Sequence, residues 1–195
     1  MLEMFRDYLK QKIEITDQQF YENFGDLRTK KIKKGEVIFR EGEYTQHIFF
    51  VSKGVLRAYS LDTKGKEHIV QFAPENWLIG DRNSMVDQPS IFFVDAIEDT
   101  EIILLPNNFL DVASANLPNL LPMQVMLLNN SIRFMQKRIN MLLAATATER
   151  YVDFLKTYPS LTLRVPQWMI ASYLGITPES LSRVRKELAK NHFRS

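Results

Sequence analysis

The chain has no cysteine among its 195 residues. That removes disulfides, thiolate-held zinc, iron–sulfur clusters and thiol redox sensing from what it can do alone. It has no apolar run near the roughly 18 residues that a membrane-crossing helix needs. Its first residues, MLEMFRDYLKQK, mix acids and bases where a secretory signal keeps an unbroken apolar stretch. The cytoplasm is the expected compartment, with no membrane contact. The three histidines, His47, His68 and His192, are scattered, so the histidine pair and glutamate of a metal-dependent cupin are not gathered on one strand. His47 and His68 are read as surface or strand histidines rather than haem ligands. Neither a G-x-S-x-G nucleophile turn nor a glycine-rich phosphate loop occurs. No catalysis, metal or cofactor is expected; a cupin-like jelly-roll enzyme stays as the alternative, which metal analysis would test.

What is present changes texture along the chain. Hydrophobic residues make up 45%, enough for a packed core. Residues 1–25 read as helical, with Thr16 and Gln19 forming a capping box for a helix that starts at Asp17 and ends near Gly25. From Arg28 to Pro106, short runs such as EVIF, HIFFV, VLRAYSL, HIVQFA, FFVDAI and EIILL alternate with Gly35, Gly42, Gly54, Gly65 and Gly80. This pattern indicates an all-β sandwich, jelly roll or barrel. DTKGK, at 62–66, is the expected hairpin turn, with Gly65 at positive φ.

Strand signals stop after Pro106, and a long helix is expected after Pro122. Its residues Val125, Leu128, Ile132, Met135, Ile139 and Leu142 are spaced 3, 4, 3, 4 and 3 apart, an a/d seam that suits a two-helix coiled coil. Packing of this stripe on the chain's own β domain is the competing reading. TATE interrupts the helix: Thr146 and Glu149 form a second capping box, and Pro159 closes the helix that follows. That break suits a hinge. Three segments result: 1–121 as a β domain with flanking helices, 122–145 as a long helix carrying the candidate dimer seam, and 146–195 as a terminal helical domain.

The net charge of +2 hides an asymmetry. From Leu161 to Ser195, six bases face two acids, so this end carries +4 and the rest −2. A basic end on an acidic body points to a polyanion. Pro166 opens the first of two short helices, QWMIASYL, and Gly175 stops it. Ile176 plugs the turn, Thr177 caps the second helix and Pro178 takes its first position. Leu181, Val184 and Leu188 form its buried face; Glu179, Ser182, Arg183, Lys186 and Lys190 face out. This describes a helix-turn-helix whose second helix enters the major groove of double-stranded DNA. Arg183 suits both acceptors of a guanine, while Glu179 suits a cytosine amino group or the orientation of Arg183. Thr177, Ser180 and Gln167 suit phosphates, with Lys186 and Lys190 nearby. A helical hairpin that merely packs on the core is the plainer alternative.

With KKGEVIFREGEYTQHIFFVSKGVLRAYSLDTKGKEHIVQFAPENWLIGD and VPQWMIASYLGITPESLSRVRKEL both in view, nearly the whole chain resembles the Crp/Fnr superfamily of bacterial transcription factors. The first stretch is similar to its β-roll. ESLSR stands where that family has an E-x-x-x-R recognition element. The resemblance implies an α+β fold: an N-terminal cyclic-nucleotide-binding-like jelly roll, a long central dimerisation helix and a C-terminal helix-turn-helix. It also implies a two-fold homodimer on a near-palindromic operator, with RNA polymerase as a further partner. A dimeric regulator acting through protein contacts without DNA ranks lower, because the basic recognition face is present.

Departures from the family carry expectations too. Gly80-Asp81 stands where nucleotide-binding members have Gly-Glu against the ribose. Ser90 and Ile91 stand where an Arg and a Ser or Thr hold the cyclic phosphate. Segment 82–93 holds only Arg82 as a cation. Met135 and Gln136 stand near where the family turns hydroxyls to the base. An effector pocket of Gly80, Asp81, Ser90, Ile91, Phe92, Met135 and Gln136 therefore does not suit cyclic AMP in the usual way, and any other effector is unknown. Ile91, Phe92, Phe93, Met85 and Trp77 suit either an apolar cavity or a filled core, with the filled core favoured. Only NHFRS follows Lys190, where the family continues into a β-hairpin wing. Either this branch lacks the wing or the chain is truncated; without wing contacts to phosphate, a modest, strongly salt-dependent affinity is expected.

Overall fold

The computed structural model describes residues 1–81, 83 and 86–192. Arg82 and Met85, and residues 193–195 on which the wing expectation partly rests, lie outside them. Helices α1 (Leu2–Lys10) and α2 (Asp17–Phe24) precede eight strands: β1 (Arg28–Ile32), β2 (Val37–Phe39), β3 (His47–Lys53), β4 (Leu56–Leu61), β5 (Glu67–Ala73), β6 (Leu78–Ile79), β7 (Phe93–Ala96) and β8 (Thr100–Pro106). Helices α3 (Phe109–Ser114), α4 (Leu120–Ala144), α5 (Ala147–Thr157), α6 (Gln167–Leu174) and α7 (Pro178–His192) complete the chain. Contacts divide it into two compact units: Met1–Ser60 with Val70–Asn130, and Leu61–Ile69 with Ser131–Ser195. Helix α4 and the β4–β5 hairpin therefore contribute to both.

The first unit is a β-roll of two four-stranded sheets, ordered β1-β8-β3-β6 and β2-β7-β4-β5. The jelly-roll expectation holds, because alternate residues such as Leu56 and Ala58 turn inward and pack with Phe39, Phe49, Val51, Val94 and Ile102. A second cluster gathers α1, α2, α3 and the start of α4 around Phe5, whose ring meets Phe20, Phe24, Phe50 and Phe109. Gly54 has φ +90°, and a Cβ there would lie 2.5 Å from Thr100 Oγ1 and 2.8 Å from Asp99 O. Only glycine lets β3 turn into β4 at that approach. Arg57 and Asp95, opposite each other on β4 and β7, form a buried two-bond pair of 2.7 and 2.8 Å. No local sequence pattern marks this pair, whose members lie 38 residues apart.

The structure corrects several local expectations. α4 begins at Leu120, not after Pro122. Proline at its third position gives up no backbone bond, since the first four N–H groups of a helix lack intrahelical partners anyway. Pro166 is the N-cap of α6 rather than its first residue. α7 is a fifteen-residue helix, not a short one. Ile91 is 52% exposed, so it neither lines an enclosed cavity nor fills the core, whereas Trp77 does pack against the core. Both capping boxes form as expected, at Thr16–Gln19 and Thr146–Glu149, and Gly65 has φ +76°. Among the described residues no helix is long and apolar enough to cross a membrane.

Candidate nucleic-acid interface

The second unit builds its last two helices around an aromatic core of Tyr151, Phe154, Tyr158 and Tyr173. α6 ends because Gly175 adopts φ +66°. Its amide then donates to Ser172 O, and the Ile176 amide to Ala171 O, both at 3.0 Å, which satisfies helix-end carbonyls. α7 starts because Thr177 Oγ1 accepts the Ser180 amide at 3.2 Å. Leu181 and Val184 are buried and Leu188 half-buried, which fixes the rotation of α7. Glu179, Ser182, Arg183, Lys186 and Lys190 are all exposed on the other side.

This face presents cations on a rigid helix. Thr177 and Ser180 are tied into the cap, their hydroxyls 3.2 Å apart. The Glu179 carboxyl is held below the usual carboxylate range, chiefly by its own backbone amide, then by the Thr177 hydroxyl and the charge of Arg183. Arg183 is thus left exposed beside an anionic neighbour already engaged at the helix start. Gln167 lies within hydrogen-bond reach of Arg185, whose guanidinium donates to Gln167 Oε1 at 2.6 Å. Around this pair Pro178, Ser182 and Lys186 line a shallow depression. Arg185 and Ser182 were not singled out as contact residues in the sequence. The signal was there, because Pro178, Ser182 and Arg185 are spaced 4 and 3 apart, one helical stripe.

On α4, Val125, Leu128, Ile132, Met135, Ile139 and Leu142 are all substantially exposed. One apolar stripe of the protomer is left about half exposed.

In the β-roll, Asp81 is 4% exposed and its carboxylate accepts three bonds: from the Asn83 amide at 2.9 Å, the Ser90 hydroxyl at 2.7 Å and the Ile91 amide at 2.8 Å. Ser90 is buried, and Phe92 donates its amide to Ser90 Oγ at 3.1 Å. Gly80, Asp81, Ser90, Ile91 and Phe92 belong to the first unit, whereas Met135 and Gln136 belong to the second.

Residues 29–116 match the cyclic nucleotide-binding domain model. The transcriptional activator protein FnrA of Stutzerimonas stutzeri is 30% identical over 175 residues, 84% of this chain and 71% of that protein. The fumarate and nitrate reduction regulatory protein of Yersinia pestis is 27% identical over 180 residues, 86% of this chain and 71% of that one. Among solved structures, FixK2 from Bradyrhizobium japonicum superposes with a TM-score of 0.74 at 24% identity, covering 85% of this chain and 86% of its own.

Proposed function

The chain belongs to the Crp/Fnr family of transcription regulators, and from that premise we propose that it acts as a cytoplasmic two-fold homodimer reading a near-palindromic operator with its α7 helices. It is a DNA-binding transcription regulator. The observation that carries the finer reading is the division of α7: Leu181 and Val184 are buried, while Arg183, Arg185, Lys186 and Lys190 are exposed. Arg183 reads a guanine edge. Gln167, Arg185, Lys186 and Lys190 hold phosphates.

The α4 stripe supplies the dimer. Its a positions are Val125, Ile132 and Ile139, and its d positions Leu128, Met135 and Leu142. β-branched residues at a with mainly leucine at d favour two parallel strands. Parallel helices put both α7 helices at the same end of the pair, as one duplex requires. Met135 serves this seam rather than an effector pocket. The sensor unit does not take cyclic AMP through the family's usual contacts, because the Asp81 carboxylate already occupies the Ser90 and Ile91 donors, and a phosphate beside it meets like charge. At its operator the dimer acts on RNA polymerase.

Selection from randomised duplexes with purified protein tests the reading, paired with light scattering of the complex. An enriched inverted repeat, in a complex whose mass is that of the duplex plus two 22.8 kDa chains, is the expected result. A lone protomer beside such duplexes, with no repeat enriched, refutes it. Calorimetric titration with cyclic AMP is expected to give no micromolar binding.

A further inference from the structure

The C-terminal end of α6 is gripped from three sides. One terminal nitrogen of Arg138, on α4, donates to Tyr173 O at 3.0 Å and to Ile69 O at 3.1 Å. The same guanidinium sits 3.6 Å from the centre of the Tyr173 ring. Arg150, on α5, donates to Leu174 O at 3.0 Å and reaches back to Ala145 O, just past α4, at 3.0 Å. Ser172 Oγ accepts the Ile69 amide at 3.1 Å and donates to Glu67 O at 3.0 Å. All of these atoms lie in the second unit.

The arrangement has a clear electrostatic cause. Residues 173 and 174 carry carbonyls at the negative end of the α6 dipole, and two fixed cations face them. Charge-assisted bonds are directional as well as strong. The apolar contacts nearby, such as Leu142 beneath Gly175, are not directional and would let α6 pivot. Helix α6 in turn carries α7 through the Gly175 turn. Arg138 thus ties α6 to α4, Arg150 ties it to α5, and Ser172 ties it to the β4–β5 hairpin.

We infer that Arg138 and Ser172 determine the half-site spacing this regulator accepts, through the orientation they impose on α6, Arg138 by tying it to α4 and Ser172 by tying it to the same β4–β5 hairpin that Arg138 holds at Ile69, without touching a base. The inference rests on the dimeric DNA-reading function proposed above. In a two-fold dimer each degree of pivot is applied twice. One extra base pair between half-sites displaces and rotates the second site about the duplex axis, so only a fixed angle discriminates neighbouring spacers. Arg138 and Ser172 are positioning residues, and their signature is spacing rather than sequence.

The test is selection from duplexes carrying two half-sites separated by varied spacers, run on the full chain. Wild type is expected to prefer one spacer over its neighbours. In Arg138→Met, which keeps the long stem and loses the donors, that preference should fall about tenfold, in line with losing charge-assisted bonds. Ser172→Ala, which removes only the hydroxyl that bonds Glu67 and Ile69, should lower it in the same direction. Arg138→Lys should lie between wild type and Arg138→Met. The half-site sequence selected, and affinity for a duplex with one half-site, should stay within about twofold. A merely structural role would weaken all spacers alike. The inference is overturned if Arg138→Met and Ser172→Ala keep the wild-type spacer preference, or if they lose all spacers in proportion. A wild-type chain that enriches no inverted repeat instead removes the DNA-reading function itself, and the inference with it.

Discussion

Replacing Ile132 with glutamate should separate the dimer. Ile132 is 46% exposed in the protomer and occupies an a position in the middle of the α4 stripe. Full burial of an isoleucine is worth about 1.5–3 kcal/mol. Covering the remaining half is therefore worth about 1 kcal/mol per protomer, or about 2 kcal/mol for the two copies. Glutamate forfeits that and sets two carboxylates against each other in a seam without water. Desolvation and like-charge repulsion add at least about 3 kcal/mol after relaxation. The total, about 5 kcal/mol, corresponds to a dissociation constant raised by more than about a thousandfold. Sedimentation velocity at micromolar protein should show a 22.8 kDa species where wild type sediments as a pair, and operator binding should go with it, since half-site avidity is lost. Asn140→Glu, at an exposed b position off the stripe, is the control that stays dimeric. Burial raises a carboxyl pKa, so acidification should partly restore the Ile132→Glu dimer. A variant that remains dimeric at neutral pH, or a control that dissociates equally, would show that the stripe is not the contact.

Three other outcomes follow from the same geometry. Arg183→Ala should cost about 1–3 kcal/mol of specific affinity and relax one base position, whereas Lys186→Ala should weaken all sequences alike and lower the salt slope by about one; fluorescence titrations across salt concentrations separate the two. Thr146→Ala should destabilise the second unit by about 1 kcal/mol, because Thr146 Oγ1 accepts the Glu149 amide at 3.3 Å while Glu149 bonds back to the Thr146 amide at 2.8 Å; denaturant unfolding measures it. Burial pushes the Tyr8 hydroxyl up to about 12. An acid raised on folding contributes stability below its unfolded value near 10 and loses it as pH climbs towards 12. Melting temperature should therefore fall across that window, and the fall should be shallower in Tyr8→Phe.

How much of this was readable in advance depended on the distance over which each cause acts. Thr16 with Gln19, Thr146 with Glu149, and Gly175-Ile176-Thr177-Pro178 act within four residues, and each structure formed where its sequence said. β1 was harder. Four of its five residues, Arg28 to Lys31, are exposed, so as an edge strand it carries no alternating apolar signal, and only its pairing with β8 makes it a strand. β6 has two residues and no pattern at all. Arg138 was invisible for a different reason. Its partners are main-chain carbonyls 35 and 69 residues away, and a carbonyl has no residue type for a motif to specify. Asp81 stands between these cases. Its position and that of Ser90 were marked as departures from a nucleotide site, but the sequence could not tell that one departure satisfies the other at 2.7 Å. A lost cation alone would leave a damaged site. The Asp81 carboxylate instead bonds the serine hydroxyl and the Ile91 amide, an arrangement that lies in packing no spacing rule encodes.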